Sequence, residues 1–355
     1  MVIQRRGDDS CNRRITVCNY PIRDIDEVGS GTFGKVYKMD RDGKTFAVKK
    51  FTYSNSDALH ITTLREIKAL RAIHSKYVLK INKILVNSYV IHLIFPYYQY
   101  DLYKLLGVEN FTLGEIKHIF WQILKGVESI HSSGYLHRDL KTANILINRR
   151  SRGDLSARGC DGRYIDNHKN FDGYRNYGGY NGSKDSSFKR TRIEEKSGEE
   201  YPGTPSGYEA CICDFGMSRI HGIDMSPGVV TLWYRPPEIL LGSSSYSRSA
   251  DVWSLGCILL EFFNKKPIFK ANADIDELYM IIELCGSIHE ESFPGCAKLP
   301  LFSKYKLKEG TRCIHERFSQ HCKEAADLAD KMLKLDPNER VSIQSCLGHP
   351  FFTSM

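Results

Sequence analysis

The stretch His137-Arg138-Asp139-Leu140-Lys141-Thr142-Ala143-Asn144 decides the reading of the whole chain. Within six positions it offers a carboxylate, an ammonium group and a carboxamide, the side-chain types that take a proton, steady a negative charge and hold a metal ion. A short turn between two regular elements can aim all three at one reacting atom. Charged surface loops are common, so the weight of the stretch depends on what stands before and after it.

Upstream, Val28-Gly29-Ser30-Gly31-Thr32-Phe33-Gly34-Lys35-Val36 is a G-x-G-x-x-G-x-V run set in strand-like alternation. Glycines at these positions let a hairpin close over a triphosphate, with backbone amides approaching oxygens where side chains would collide. Phe46-Ala47-Val48-Lys49 ends an apolar strand on a lysine. Ala58 to Ile73 carries helical apolar spacing, with Leu59, Leu64, Ile67 and Leu70 on or near one face, and places Glu66 where it can pair with Lys49. Ile84 to Phe95 supplies two more strands, and Pro96-Tyr97-Tyr98 follows as a hinge, with Phe95 behind it. Leu102 to Leu106 and Gly114 to Ser132 read as helices, the second burying Ile116, Ile119, Phe120, Ile123, Leu124 and Val127. Downstream stand the short strand Ile145-Leu146-Ile147, a second strand Ala210 to Cys213, Asp214-Phe215-Gly216, Pro236-Pro237-Glu238 and Asp251-Val252-Trp253-Ser254-Leu255-Gly256.

Between the two short strands the composition turns to Gly, Tyr, Arg, Asn, Ser and Asp. Residues 149–208 cannot bury enough apolar surface to fold alone and are expected to be a disordered insert. Stretching a loop of about five residues to about sixty-five costs only ~2 kcal/mol by closure entropy, so a hairpin can carry it. Its Tyr-Gly-Gly-Tyr and scattered arginines leave open a weak RNA contact beside a passive spacer role. Residues 1–19 read as a basic, untethered tail.

At 355 residues the chain has room for two lobes with cores. Its net charge of +8 is concentrated outside the folded part. Up to residue 23 there are five arginines against Asp8 and Asp9, and residues 149–208 hold twelve Lys or Arg against nine Asp or Glu. A basic folded surface for nucleic acid is therefore not indicated. The longest apolar stretch, Val90 to Tyr98, is too short to span a bilayer, and the N-terminus lacks an apolar core behind its arginines. The expectation is a chain neither secreted nor embedded, in a nuclear or cytosolic setting. Its 11 cysteines show no C-x-x-C or Cys/His spacing, so they are expected to be reduced thiols without zinc.

Taken together, these motifs resemble the eukaryotic protein kinases over residues 20–352, with a closer similarity to the cyclin-dependent kinases. The narrower likeness rests on Ile61-Thr62-Thr63-Leu64-Arg65-Glu66, on Val229-Val230-Thr231-Leu232-Trp233-Tyr234-Arg235-Pro236-Pro237-Glu238 and on Asp251 to Cys257. Gly-Thr-Phe-Gly, Arg-Pro-Pro-Glu and Phe262 to Phe269 look most like the transcription-elongation branch, whose members phosphorylate the heptad-repeat tail of RNA polymerase II. A cell-cycle member remains the alternative. A mitogen-activated kinase is disfavoured by the missing Thr-x-Tyr pair, and an inert cyclin-binding scaffold by the presence of Lys49, Glu66, Asp139, Asn144 and Asp214.

The resemblance implies an α+β bilobal fold, with a β-rich N-lobe (20–97) holding one regulatory helix and a mainly helical C-lobe (98–352). It implies ATP under the Val28–Val36 flap, with Lys49 on the α and β phosphates, Glu66 holding Lys49 and Tyr98 beside the adenine. Asp139 would take the substrate hydroxyl's proton, Lys141 steady the transferred phosphoryl group, and Asn144 and Asp214 hold Mg2+. Asp251 would brace the loop from beneath, and Arg340 would pair with Glu238. A cyclin would bind the Ile61–Glu66 helix, and Arg65, Arg138 and Arg219 would gather a phosphate on Ser226, in a segment shorter than is common. Val229 and Val230 match a pocket that accepts proline after the target Ser or Thr; an imide without N–H loses nothing where no acceptor is offered.

Three departures stand out. Phe33 replaces an inhibitory tyrosine, so that brake is absent and Thr32 would have to serve in its place. Pro96 removes a backbone donor at the hinge or alters the strand geometry there. Thr142 replaces the proline that usually follows the lysine, a change expected to be mild.

Overall fold

A computed structural model describes residues 16–17, 20–21, 25–31, 34–53, 60–87, 89–149, 201–220, 231–245 and 247–353. Thr32, Phe33, Ser226, Val229 and Val230 lie outside the described residues, as do most of the tail and residues 150–200 of the insert.

Strands β1 (Thr16–Val17) and β2 (Tyr20–Pro21) form a two-stranded ladder. A five-stranded antiparallel sheet follows, built from β3 (Ile25–Gly31), β4 (Gly34–Arg41), β5 (Lys44–Thr52), β6 (Lys83–Asn87) and β7 (Val90–Pro96) in the order β3-β4-β5-β7-β6. Between β5 and β6 lies helix α1 (Ile61–Ala72). Alternation along β5 and β7 turns Val48, Ile91, Leu93 and Phe95 inward, and Ala69 and Leu70 of α1 are buried with them. Gly34 is required by the register: a Cβ there would lie 2.6 Å from the Lys50 carbonyl oxygen.

Helix α1 is shorter than its apolar spacing predicts. It starts after His60, whose Nδ1 accepts the Thr62 N–H at 3.4 Å. Its buried residues are Thr62, Thr63, Glu66, Ala69 and Leu70. Leu64, expected on the inner face, is 38% exposed, and Ile61 is 52% exposed. The inward face is set by where Glu66 and Ala69 meet the sheet, and the two aliphatic residues fall on the opposite side of the helix.

The helical part begins with β8 (Tyr100–Asp101), α2 (Leu102–Val108) and α3 (Leu113–Ser132). A capping box of Thr112 and Glu115 fixes the start of α3, satisfying amides that the first turn leaves free. The expected inner face of α3 is buried at all six positions. After β9 (Tyr135–Leu136), β10 (Ile145–Arg149) and β11 (Tyr208–Ile212) form an antiparallel hairpin from Ile145↔Ile212 to Arg149↔Tyr208. Gly126 lets this hairpin cross α3: a Cβ there would lie 2.7 Å from Ile212 Cδ1.

The ends of the expected insert belong to the folded body. Arg149 and Tyr208 are strand partners. The Tyr201 ring packs 4.8 Å from His118 and 5.6 Å from Trp121, centroid to centroid, and Ser206 Oγ lies 2.7 Å from His118 Nδ1. Two aromatic contacts and a hydrogen bond anchor a stretch whose composition alone reads as unfolded.

Strand β12 (Arg219–Ile220) pairs with β9. Then come α4 (Pro237–Leu240), α5 (Arg248–Asn264), α6 (Asp274–Cys285), α7 (Ile314–Phe318), α8 (Lys323–Met332), α9 (Ile343–Leu347) and α10 (Pro350–Thr353). Helix α5 starts at Arg248, ahead of Asp251, because Ser247 Oγ accepts the Ser249 N–H at 3.3 Å. Buried on every side from Ala250 to Phe262, it is the axis of the lower body. At about 1.5–3 kcal/mol per large apolar side chain fully buried, a helix with no solvent face is a heavily stabilised support.

Candidate active site

The loop 137–144 hangs between β9 and a short 3-10 turn, Thr142–Asn144. Its backbone is held from below by Asp251, which is fully buried. The Asp251 carboxylate accepts the His137 N–H at 3.0 Å, the Arg138 N–H at 2.9 Å and His131 Nε2–H at 2.8 Å. Burial by itself would push this carboxyl up; the bond and charge of His131, with His137 and the Arg138 amide, outweigh it and hold the group below the usual carboxylate range. Arg138 takes the left-handed conformation, φ 70°, and its side chain is buried. His137 donates from Nε2 to the Cys213 carbonyl at 3.0 Å and stands 4.8 Å from the Phe215 ring, linking the loop to the segment that carries Asp214.

Around Asp139 the expected groups converge. Its Oδ2 accepts Lys141 Nζ at 2.7 Å and Asn144 Nδ2 at 3.1 Å. Asn144 Nδ2 also donates to the Asp139 carbonyl at 2.8 Å, which turns the amide oxygen of Asn144 the other way. The Cys213 N–H donates to the Asn144 carbonyl at 2.9 Å, so Asn144 and Asp214 sit side by side where the β10–β11 hairpin ends. Asp214 has φ 62°, and its side chain is 43% exposed. A carboxylate and an amide oxygen suit a hard divalent cation that takes its remaining ligands from phosphate and water.

Across the cleft, Lys49 Nζ is 2.8 Å from both Glu66 oxygens and 3.8 Å from Asp214 Oδ1. Burial lowers the lysine pKa, but the Glu66 and Asp214 carboxylates outweigh it, so the net shift is upward and the ammonium stays charged. Lys49 pairs in register with Val36, and Gly29 with Val36 on the other side, which sets the glycine-rich β3–β4 ladder directly beside Lys49. Gly31 pairs with Gly34; Ser30 pairs with Lys35, whose Nζ meets Glu27 at 3.0 Å, and Val28 is 43% exposed. Pro96 closes β7 opposite Phe46, Phe95 is buried, and Tyr98 packs on the core.

Two of the three arginines are neighbours: the Arg65 pKa is lowered, first by burial and then by the Arg219 guanidinium. Arg219 pairs with Leu136, two residues before Arg138. Among the described residues Arg219 Nε has no hydrogen-bond partner. Farther down, Arg340 grips Glu238 with two bonds of 2.7 and 2.6 Å, both side chains being buried.

Sequence reasoning missed Thr231. Its Oγ1 donates to Asp139 Oδ1 at 2.8 Å and accepts Lys141 Nζ at 2.8 Å, tying the two together from the far segment. It lies inside a quoted motif, yet no spacing relates residue 231 to residue 139. Tyr234, in the same motif, and Glu261, in no quoted motif, were missed as well; they meet Thr142 below the loop.

Comparison with known proteins fits this geometry. The family described as "Protein kinase domain" matches residues 22–161 and 206–352. The chain is 34% identical over 349 residues to a probable CTD kinase subunit alpha homolog of Encephalitozoon cuniculi, covering 98% of this chain and 88% of that protein. It is 32% identical over 355 residues to cyclin-dependent kinase 9 of Xenopus tropicalis, covering 92% of this chain and 79% of that one. With CTD kinase subunit alpha of Schizosaccharomyces pombe it shares 31% identity over 341 residues, covering 93% of this chain and 48% of the relative.

Proposed function

The chain belongs to the protein kinases and, among them, to the cyclin-dependent kinases, and from that premise we propose that it phosphorylates Ser/Thr-Pro sites in the nucleus, above all those of the heptad-repeat C-terminal domain of RNA polymerase II. As a cyclin-dependent serine/threonine kinase it uses ATP, a divalent metal ion, a cyclin and protein substrates. The substrate reading is supported by the letters CTD in the names of two relatives.

The chemistry rests on one observation, the convergence of Lys141, Asn144 and Thr231 on the Asp139 carboxylate. Asp139 accepts the proton of the target hydroxyl, and Lys141 steadies the phosphoryl group in flight. Lys49, kept charged and oriented by Glu66, neutralises the α and β phosphates, while the Val28–Val36 backbone covers them and Tyr98 borders the adenine. Mg2+, held by Asn144 and Asp214, would offset the negative charge of the terminal phosphates. Because the protein's groups are already placed, the barrier falls chiefly by positioning and electrostatics.

The partner reading rests on an exposed face and the regulatory one on three arginines. Ile61 and Leu64 lie uncovered on the Ile61–Glu66 stretch of α1, the surface assigned to the cyclin. Arg65, Arg138 and Arg219 receive a phosphate on Ser226; unchanged activity and cyclin affinity in a Ser226→Ala protein would remove that assignment. Weak RNA contact by residues 149–208 would show as RNA affinity lost on their deletion with kinase activity retained.

The deciding experiment follows transfer from labelled ATP to heptad-repeat peptides by the kinase–cyclin complex. Transfer should fall about 10³-fold in Asp139→Asn and drop sharply when Ala replaces the proline after the acceptor. Equal rates on the proline and alanine peptides would refute the substrate reading, and an undiminished Asp139→Asn enzyme would refute the mechanism.

A further inference from the structure

Beneath the catalytic loop three oxygen-bearing side chains from three separate segments close a ring. Thr142 Oγ1 lies 3.0 Å from Glu261 Oε1 and 3.0 Å from the Tyr234 hydroxyl, and that hydroxyl lies 2.7 Å from Glu261 Oε2. Thr142 is fully buried, Glu261 is 1% exposed and Tyr234 is 3% exposed, so the three groups are closed to bulk solvent. Each contact needs one proton to be a hydrogen bond and not a clash of lone pairs. The two hydroxyls supply two. With Glu261 ionised both hydroxyls donate to its carboxylate and the Thr142–Tyr234 contact is left without a proton; a proton on Glu261 Oε2 supplies the third, and donation then runs Glu261 to Tyr234, Tyr234 to Thr142, Thr142 back to Glu261 Oε1.

The ring is attached to the residues that surround Asp139. Thr142 follows Lys141 directly and opens the 3-10 turn that ends at Asn144, whose N–H donates to the Lys141 carbonyl at 2.9 Å. Tyr234 closes a turn onto Thr231, its N–H donating to the Thr231 carbonyl at 3.2 Å, and Thr231 bridges Asp139 and Lys141. Glu261 stands on α5 ten residues after Asp251, a separation of about 15 Å along a helix. One helix thus holds the loop at two places, by Asp251 under its first residues and by Glu261 under its last. Proline, the usual occupant of position 142 in the family, has no hydroxyl and would leave the ring open, so the substitution here is a gain of two bonds.

We propose that Thr142 is a positioning residue for phosphoryl transfer, its hydroxyl locking Lys141 and Asn144 to the 231–234 segment and to α5 through Tyr234 and a neutral Glu261. Thr142 touches neither ATP nor the acceptor; it acts through the residues beside it, and the proposal rests on the roles given above to Asp139, Lys141 and Asn144. Burial pushes the Glu261 carboxyl up to about 7, against the lowering effect of the Tyr234 and Thr142 hydroxyls. The Tyr234 phenol is pushed up as well, first by burial and then by Glu261, so it keeps its proton. Facing Glu261 are those two hydroxyls and, from its own helix, the Cys257 thiol; among the described residues no Lys, Arg or His bonds to it.

The test uses the full-length kinase with its cyclin, measuring kcat and KM for ATP and for a heptad-repeat peptide between pH 6 and 8.5. Thr142→Val keeps the shape and loses the hydroxyl; kcat should fall about tenfold or more with KM for ATP within about twofold. Thr142→Ser should restore most of kcat. In the wild type kcat should decline as pH rises through about 7, when ionisation of Glu261 removes the third proton. Glu261→Gln, which carries N–H donors at every pH, should retain activity and lose that decline. A Thr142→Val enzyme with wild-type kcat, a Thr142→Ser enzyme as defective as Thr142→Val, or an inactive Glu261→Gln enzyme that still melts like the wild type would each overturn the ring. If Thr142→Val does not fold, the Ser and Gln variants decide. A wild-type complex with no transfer at all would sink the catalytic assignment together with the ring, whereas an active wild type with an indifferent Thr142→Val sinks the ring alone.

Discussion

The two sides of the cleft are held in different ways. Below it, the 137–144 loop is fastened to α5, a helix buried on all sides, through Asp251 and Glu261, and the segment that supplies Thr231 and Tyr234 runs on to Glu238 in the bidentate grip of Arg340. Above it, Lys49 is oriented by Glu66 alone among the groups of α1, a helix that buries only Thr62, Thr63, Glu66, Ala69 and Leu70 and leaves Ile61 and Leu64 bare. The lower half carries its own support. The upper half is placed by a helix whose outer face has no cover from this chain among the described residues, so its position is open to a partner. A kinase that waits for a cyclin needs this asymmetry: a finished lower half, and an adjustable ion pair above it.

The comparison is most severely strained by breaking the lower half. Glu238→Ala leaves the Arg340 guanidinium buried without its carboxylate and should destabilise the protein by about 3–5 kcal/mol. Denaturant unfolding checks this, and the loss should be the same with and without cyclin. A loss under about 1 kcal/mol would mean that the lower half is less tightly supported than its geometry implies.

Asp251→Asn should cost less, about 1–3 kcal/mol, because one amide oxygen still accepts while the amide nitrogen meets a donor. It also has a pH signature. The Asp251 pKa is lower in the folded protein than its ordinary value, so its contribution is fully present above the unfolded pKa and is lost as pH falls through the folded one. The wild type should therefore lose stability toward acid more steeply than Asp251→Asn. Parallel acid limbs would show that Asp251 is not what fastens the loop.

Much of this architecture is legible in the sequence, and the parts that are not share a cause. Lys49 with Glu66, Glu238 with Arg340 and Asp251 under the loop could be read because each belongs to a run of neighbouring residues whose order along the chain carries information. Thr231 and the Thr142–Tyr234–Glu261 ring could not, because hydroxyls arriving from distant segments leave no periodic trace. Tyr201 was hidden by its polar, glycine-rich neighbours; composition averages over a window, and two ring contacts suffice to dock one residue. For α1 the apolar spacing was visible but its direction was not. A stripe of aliphatic residues looks the same whether it meets this chain's core or another protein's surface.

Leu64 is where that ambiguity can be settled. If the bare face of α1 is the cyclin's seat, Leu64→Asp should weaken cyclin binding by about tenfold, the scale of one aliphatic side chain failing to be buried against a partner. The isolated kinase should melt close to the wild type, since Leu64 is 38% exposed and is not among the buried core residues. Basal transfer without cyclin should stay as low as in the wild type, and saturating cyclin should restore kcat, because Lys49, Glu66 and the lower half are untouched. Titration of cyclin against activity measures both quantities at once. Should the variant instead unfold more easily with its cyclin affinity intact, α1 would be packed by its own chain on both faces, and the contrast between a self-supported half and a partner-placed half would have to be given up.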